Sequence, residues 1–282
     1  MTAVAQRSAA PAQPQADAVA LRAVTVGEPA WRRWLPRVLP VLVLLALWEV
    51  CARRANLEEM PGLAAIGAAL ITILGNADDV AGILASLGRM AAGFALGLAI
   101  AVPTGLAMGR SPAFARLVNP LTTLVYPVPK AALMPILMLW FGIGDLSKIL
   151  VIFLGVSLPL LYHSYQGAAA VDDKLVWSAR AMGMRGPARL ARVILPASLP
   201  DVLLGCRVGI AMALITMISS EMIARQEGAG ELLFNALDMA VYPEVYAMIV
   251  LIALLGLLLD VGFERLRRRL VRWSDTLHGE AT

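Results

Sequence analysis

The sequence predicts an all-α integral membrane protein with six transmembrane helices. Of its 282 residues, 59% are hydrophobic and only 16% are charged, and the mean hydropathy is +0.74. Soluble domains carry about 25% charged residues, so this composition is typical of a chain that lies in a bilayer. Six apolar segments approach the length of about 20 residues that a helix needs to cross the hydrocarbon core. They are residues 35–52, 86–108, 119–141, 146–165, 199–223 and 244–263.

The ends of the chain differ from this apolar region. Residues 1–34 are rich in Ala, Pro and Gln and have little periodicity, so we expect a disordered tail there. A cleaved signal peptide fits poorly, because the first apolar run ends in WEVCARR without a small-residue cleavage site. We expect the six-span domain at residues 35–264 and a basic tail at residues 265–282.

Residues 53–80 connect the first two segments and contain an amphipathic pattern from Pro61 to Leu74, which we expect to pack between spans. The next segment carries four glycines with two spacings of four residues, a pattern that lets helices approach closely. These glycines are Gly93, Gly97, Gly105 and Gly109. The pattern leaves open whether the close contact lies within the subunit or across a dimer.

The third segment cannot be one regular helix, since each interior proline removes a backbone donor and clashes with the preceding turn. Its prolines are Pro120, Pro127, Pro129 and Pro135. Broken backbone at membrane depth is tolerated where it is packed in protein or lines a wet cavity. The candidate translocation-pathway residues are Pro127, Pro129, Lys130 and Pro135. Lys130 could attract a passing anion, or it could satisfy carbonyls that the prolines leave without donors.

The distribution of Lys and Arg predicts the orientation. With the N-terminus inside, seventeen of these residues lie in cytoplasmic segments and four lie outside. The outside four are Arg53, Arg54, Lys148 and Arg225. Because positive residues favour the cytoplasmic side, we expect both termini and the loop at residues 166–198 to face the cytoplasm.

The loop at residues 166–198 is long, polar and basic, and we expect two short helices in it. Asp172 or Asp173 can cap the start of the first helix, and Gly183 supplies its end. Leu175, Ala179 and Met182 recur at helical spacing and predict one small apolar face. The second helix is expected from Pro187 to about Leu195, with Pro196 ending it. Such a loop could rest on lipid headgroups or dock onto a cytoplasmic partner.

Several classes of function are disfavoured by the residues that the chain lacks. No GxxxxGK[ST] motif is present, so ATP for an ATP-driven process must be hydrolysed by another chain. The chain has neither a GxSxG nor an HExxH motif, so nothing points to an intramembrane enzyme. Its cysteines and histidines are not spaced as metal ligands would be; they are Cys51, Cys206, His163 and His278. We therefore expect no catalytic residues, no bound cofactor or metal, and no nucleic-acid partner.

The ionisable residues near the spans bear on the rival class, a gradient-driven secondary transporter or channel. Such proteins keep charges deep in their spans, whereas Glu49, Glu221 and Asp260 lie toward span ends, where they could reach water or headgroups. Arg207 and Glu221 are too far apart in one helix to pair, about 21 Å at 1.5 Å per residue, so each should pair with another span or face headgroups. This alternative stays open.

Residues 177–183 read WSARAMG and are followed, after nine residues, by VILP at 193–196. This pattern resembles the EAA motif of ABC importer permeases, with Trp177 in place of its Glu and Ser178 in place of its first Ala. Residues 127–148, from PVPK through LWFGIG to SK, resemble the nitrate/sulfonate/taurine branch of that family. The resemblance extends from about residue 35 to the C-terminus.

The resemblance implies a permease subunit of the bacterial inner membrane that imports a small anionic solute of the sulfonate, taurine or nitrate kind. It implies three partners: a cytoplasmic ATPase dimer, a periplasmic solute-binding protein and a second permease copy, expected as a homodimer. The residues implied in ATPase coupling are Trp177, Ser178, Ala179, Arg180, Met182, Gly183, Leu195 and Pro196. Trp177 could anchor in a groove of the ATPase or at the level of the lipid headgroups.

Overall fold

The computed structural model describes the backbone of residues 30–273 and the side chains of residues 38–273. The regular elements in that range are helical, as the sequence predicts. They are α1 Ala30–Ala55, α2 Leu63–Gly75, α3 Ala77–Arg110, α4 Pro112–Val125, α5 Met134–Phe141, α6 Asp145–Ala170, α7 Asp173–Ala181, α8 Gly186–Arg189, α9 Leu195–Ala224, α10 Ala229–Asp238 and α11 Tyr242–Leu270. A 3-10 helix, Lys130–Leu133, precedes α5, and a π-helical segment, Leu190–Ile194, joins α8 to α9.

The contacts divide the chain into residues 1–50 and residues 51–282. The first unit contributes most of α1, and the packing described below belongs to the second unit. The tail expected at residues 1–34 lies mainly outside the described residues, although α1 already begins at Ala30. The expected C-terminal tail shares its first residues with α11, which runs to Leu270.

Helices α3, α6 and α9 form the centre of the second unit, and their backbones approach closely at glycines. A β-carbon added to Gly105 would lie 2.8 Å from Ser164 Cβ of α6, and one added to Gly93 would lie 2.7 Å from Ile152 Cγ2. Between α6 and α9, a β-carbon on Gly155 would lie 2.5 Å from Thr216 Oγ1. The four glycines of α3 therefore make their close contact within the subunit, which settles the alternative that the sequence left open.

Two of the shorter helices pack against the outside of this centre. Buried Ile66 and Ile73 of α2 lie in one apolar cluster with Ala229 of α10 and with Ala247 and Met248 of α11. The amphipathic pattern at residues 53–80 is thus a packing element, as expected, and its helix starts two residues after Pro61.

The third predicted span is broken, as its prolines indicate. Helix α4 and the segment Lys130–Phe141 are inclined to each other by 85°, with the break at the four residues between them. Pro129 stands just before the 3-10 helix, and Pro135 lies in the first turn of α5, where a missing backbone donor costs nothing. Isolated Pro103 and Pro159, by contrast, lie inside continuous α3 and α6.

Length and composition support four or five of the six predicted spans in the described residues. Four helices in the described residues are long and apolar enough to cross a membrane: α3, α6, the continuous helix Gly186–Ala224, and α11. The bent pair formed by α4 and Lys130–Phe141 makes a fifth. The described part of α1 does not qualify, because Glu49, Arg53 and Arg54 fall in it. Six spans are therefore not established by length and composition alone.

Substituting Gly105 by Ala tests the close helix contact. We expect a loss of about 1–3 kcal/mol of stability, because the added methyl group meets α6 backbone and Ser164 and must push the helices apart. The matched control is Gly88→Ala in the same helix, where nothing lies within 4 Å of the added carbon. Thermal unfolding in detergent should show a lower midpoint for the first variant alone. Equal midpoints would contradict the packing described.

Candidate functional site

Helix α7 has clear start and stop signals. Asp172 caps its start, because its Oδ1 accepts a hydrogen bond of 2.8 Å from the backbone N–H of Lys174. At its end Gly183 adopts φ +78°, a left-handed conformation that favours glycine. The N–H groups of Gly183 and Met184 donate to the carbonyls of Arg180 and Ala179, at 2.9 and 3.0 Å, which closes a Schellman turn. Both predicted boundaries of this helix are confirmed.

The buried face of α7 differs from the predicted one. Val176 and Ala179 are buried, whereas Leu175 and Met182 are exposed. The prediction used spacings of four and seven residues, but the helix packs along a spacing of three, with Val176 in the same apolar cluster as Ile194. Ala179 therefore holds α7 to its own chain, so its side chain is not available to a partner.

The opposite side of α7 and the turn after it are exposed. Trp177 and Met182 are 61% and 70% exposed, although both are large and apolar. Ser178, Arg180 and Gly183 are exposed beside them. Large exposed apolar side chains on a polar helix are typical of a binding surface. We call Trp177, Ser178, Arg180, Met182 and Gly183 the α7 surface.

The second short helix of this loop does not end at Pro196. Residues Gly186–Ala224 are helical throughout, and Pro196 lies in the first turn of α9. A π-helical turn lets the helix continue past Pro196. In this turn the N–H of Leu195 donates to the carbonyl of Leu190, five residues earlier. Pro196 is exposed and Leu195 is half-buried.

The candidate pathway residues lie at the opposite end of the helical centre from α7. Buried Met134 and Leu137 of α5 pack against Val151, near the start of α6, and Ala224, at the end of α9. Helix α7, by contrast, follows the end of α6, whose 26 residues rise about 39 Å at 1.5 Å per residue. The structure therefore does not bring the two predicted sets of residues together.

The Lys130 ammonium group forms hydrogen bonds with backbone carbonyls at the break. Its Nζ donates to the carbonyl oxygens of Val125, Tyr126 and Val128, the last two at 3.2 and 2.6 Å. These carbonyls lie at the end of α4 and in the residues that follow it, and the carbonyl of Val125 also accepts from the N–H of Val128 at 3.2 Å. Of the two alternatives for Lys130, the geometry matches the second.

A buried cluster of charges at the α5 end of the centre was not predicted. Glu221 of α9 is 0% exposed. Its Oε1 accepts from Arg89 Nη1 at 2.9 Å, and its Oε2 lies 2.9 Å from Ser86 Oγ and 3.0 Å from the N–H of Gly230. Arg89 also pairs with Asp145 at the start of α6. The expectation that Glu221 reaches water or headgroups is therefore wrong, and its pairing with another span is confirmed.

The same cluster holds the connection between α9 and α10. Lys148 of α6 is 1% exposed, and its Nζ donates to the carbonyls of Gln226 and Glu227 at 3.2 Å each. Arg89 Nη1 donates to the same Glu227 carbonyl at 2.7 Å. Lys148 was counted only as a charge outside the membrane. The sequence did contain a signal for the cluster. In the predicted orientation the outer ends of three segments each carry one of its charged residues: Arg89, Lys148 and Glu221.

Arg207 of α9 was, like Glu221, expected to pair with another span or to face headgroups. Its Nε and Nη2 donate to the two carboxylate oxygens of Asp260 in α11, at 2.7 and 2.9 Å. Arg207 thus pairs with another helix, as one of the two alternatives predicted. Asp260 makes this bidentate pair while its side chain stays 42% exposed, in line with the expectation that it can reach water or headgroups.

Neither a metal site nor an anion site appears beside the buried cluster. Within residues 38–273 no group of three His, Cys, Asp or Glu side chains is placed to hold a metal ion. The cavity beside Glu227 is lined by four acidic residues, which would repel an anion. They are Asp78, Asp79, Glu227 and Glu231.

Comparison with known proteins agrees with these observations. Residues 93–272 match the family of binding-protein-dependent transport system inner membrane components. The taurine transport system permease protein TauC of Escherichia coli (strain K12) is 35% identical over 196 residues, which is 70% of each chain. A protein of the same organism named for aliphatic sulfonates transport, the permease SsuC, is 31% identical over 252 residues, covering 88% of this chain and 96% of SsuC.

The fold has a counterpart among solved structures. A structure of the MetNI methionine ABC transporter in an inward-facing conformation superposes with a TM-score of 0.61 at 17% sequence identity. The match covers 68% of this chain and 95% of that chain. At this identity the likeness concerns the fold alone.

The buried cluster can be tested by Glu221→Gln. We expect a loss of about 3 kcal/mol, because Arg89 stays buried with one of its two carboxylate partners neutralised. Glu227→Gln is the control, since that side chain is exposed and its backbone carbonyl makes the bonds. Thermal unfolding of purified protein in detergent is the measurement. A midpoint for Glu221→Gln equal to that of Glu227→Gln would contradict the assigned pairing.

Proposed function

The chain belongs to the binding-protein-dependent transport system inner membrane component family and is a permease subunit of an ABC importer, and on that premise we propose that α7 is its coupling helix. In this proposal a cytoplasmic ATPase, supplied by another chain, grips the α7 surface. Movement of the ATPase then moves α7, and the spans reorient to pass solute inward.

One observation carries the proposal: Trp177 and Met182 are exposed on a short helix that the chain holds at both ends. The Schellman turn at Gly183 and the burial of Val176 and Ala179 fix the helix, so the exposed side chains point outward from a rigid support. Trp is frequent among residues that dominate binding energy at interfaces. We propose that Trp177 replaces the usual motif Glu as an aromatic anchor in the ATPase groove. Ile194, directly before Leu195 and Pro196, lies in the same apolar cluster as Val176 and supports the buried face of α7.

We further propose six crossings with both termini in the cytoplasm. The support is the excess of Lys and Arg in the segments on one side, together with helices at all six predicted segments. In this arrangement α1 is the first crossing and the α4–α5 pair is the third. The buried charge cluster and the α9–α10 connection then face the periplasm, where a solute-binding protein delivers its cargo.

We propose that two copies of this permease assemble as a homodimer around one pathway. The support is that one chain offers one α7, whereas an ATPase dimer offers two grooves. The break after Val125, the 3-10 helix Lys130–Leu133 and α5 would line the pathway, since irregular backbone at membrane depth needs protein or water beside it.

For the solute we propose a small organic or inorganic anion of the sulfonate, taurine or nitrate kind. The support is the likeness to permeases that are named for taurine and for aliphatic sulfonates. In this proposal the backbone at the break contacts the anion in the pathway. Lys130 keeps the break in shape through its three carbonyl bonds.

The substitution Trp177→Ala tests the coupling assignment. We expect the affinity for the ATPase to fall by about thirtyfold, because an interface hot spot contributes about 2 kcal/mol or more. Trp140→Ala in α5 is the control, since Trp140 is similarly exposed and lies far from α7. Co-purification and titration of the ATPase onto the permease in nanodiscs are the measurements. An unchanged affinity of Trp177→Ala for the ATPase would contradict the role of Trp177 as an aromatic anchor.

Reconstitution of the purified chain into closed vesicles separates the importer from a gradient-driven transporter. Vesicles that contain only this chain should not accumulate solute, whatever ion gradient is imposed. Accumulation without an ATPase would favour the secondary transporter instead.

Lys130→Met tests the role assigned to the break. We expect uptake and thermal stability to fall together, by about 1–3 kcal/mol in stability, because the carbonyls of Val125, Tyr126 and Val128 lose the ammonium donor and only that of Val125 keeps a backbone N–H. Lys130→Arg should recover both, since a guanidinium retains several donors. Uptake in proteoliposomes and thermal unfolding are measured on the same samples. Reduced uptake of anions at unchanged stability would instead assign Lys130 to direct contact with the solute.

A further inference from the structure

Arg110 joins the ends of three helices at the point where α7 begins. It is the last residue of α3, and its Nη1 donates to the carbonyls of Ala168 and Val171, at 3.4 and 3.3 Å. Its Nη2 donates to Asp173 Oδ1, in the first turn of α7, at 2.6 Å. One guanidinium therefore connects α3, the end of α6 and the start of α7.

The chemistry of the three acceptors suits an arginine. The carbonyls at the end of α6 have no partner within the helix and carry the negative end of its dipole. The planar guanidinium presents several donors in a fixed fork, so it can hold a carboxylate and backbone oxygens together. The Asp173 side chain is largely exposed, so this ion pair adds little to stability. Its importance lies in the geometry that it fixes.

The neighbouring glycine brings Arg110 within reach. A β-carbon on Gly109 would lie 2.6 Å from Ala168 Cβ, so the last turn of α3 is pressed against the last turn of α6. The connection from α6 to α7 is only Val171 and Asp172, both with extended ψ angles near 127°. Val171 is buried in the central apolar cluster with Val176, and polar side chains that reach across this short connection further limit the tilt of α7.

We propose that Arg110 is a positioning residue that makes α7 and the α3–α6 pair move as one body. The inference rests on the proposed coupling role of α7 and adds to it the residue that transmits the movement. Without Arg110, the burial of Val176 and Ala179 still keeps α7 folded, but the helix can tilt about the two-residue connection. Part of the ATPase movement then tilts α7 and does not reach the spans.

The test measures coupling, which a purely structural residue would not change selectively. Arg110→Met is assembled with the ATPase and the binding protein in proteoliposomes, and ATP hydrolysed per solute imported is determined. We expect the ATPase to stay bound and its activity to persist, while the ratio rises about fivefold or more, the lower end of typical coupling between two sites. Arg110→Lys should recover part of the loss, since it keeps the charge without the fork.

Arg116→Met is the matched control. Arg116 lies six residues later in α4, where its Nε donates to the carbonyl of Pro112 in the same helix, so the ratio should not change. Asp173→Asn removes the ion pair and leaves the two carbonyl bonds, and it should raise the ratio by a smaller factor. If Arg110→Met reduces the yield of folded complex, Asp173→Asn decides: a raised ratio supports the proposal, and an unchanged ratio overturns it.

Two further results would overturn the proposal. If Arg110→Met releases the ATPase, Arg110 belongs to the docking contact and not to transmission. If the unmodified complex also loses coupling in vesicles of phosphatidylcholine alone, Arg110 acts by holding anionic headgroups. Failure of the coupling-helix assignment itself is recognised separately, because Trp177→Ala would then leave ATPase affinity unchanged.

Discussion

The close approach of the α3, α6 and α9 backbones is the constraint on which the other features depend. Lipid gives apolar helices little reason to associate, so contact between their backbones must supply the attraction. Glycines on all three helices meet β-carbons or backbone of a neighbour at distances that leave no room for a methyl group, as at Gly105 against Ser164 and at Gly155 against Thr216. Three helices packed in this way move together.

Charged side chains continue this interface beyond its apolar length. Arg89 lies one turn before Gly93, and Lys148 lies one turn before Ile152, which packs on that glycine. Glu221 and Asp145 balance the two positive charges, which a buried position requires. At the other end Arg110 follows Gly109 directly and reaches the start of α7. Each end of the close helix contact is therefore fixed to a connecting segment, one before α10 and the other at α7.

Prolines show how the same residue acts differently in different packing. Pro103 and Pro159 lie inside the continuous helices α3 and α6, which they do not end. Pro127 and Pro129 are close together, so two donors are lost within one turn, and the helix ends there. The Lys130 ammonium group then donates to the carbonyls of Val125, Tyr126 and Val128. Pro196 is tolerated in a third way, through a π-helical turn that carries α8 into α9.

The sequence alone determined the helical class, the break in the third segment, and the start and end of α7, because each depends on local chemistry: hydrophobic length, lost proline donors, an Asp cap and a left-handed glycine. The motifs at residues 127–148 and 177–196 also indicated the family. Only the tertiary structure decided which face of α7 is buried, since Leu175 and Val176 are both apolar. Only it placed Arg89 on Glu221, and Arg110 on Asp173, because residues 63 to 132 positions apart meet solely through the packing of the helices between them.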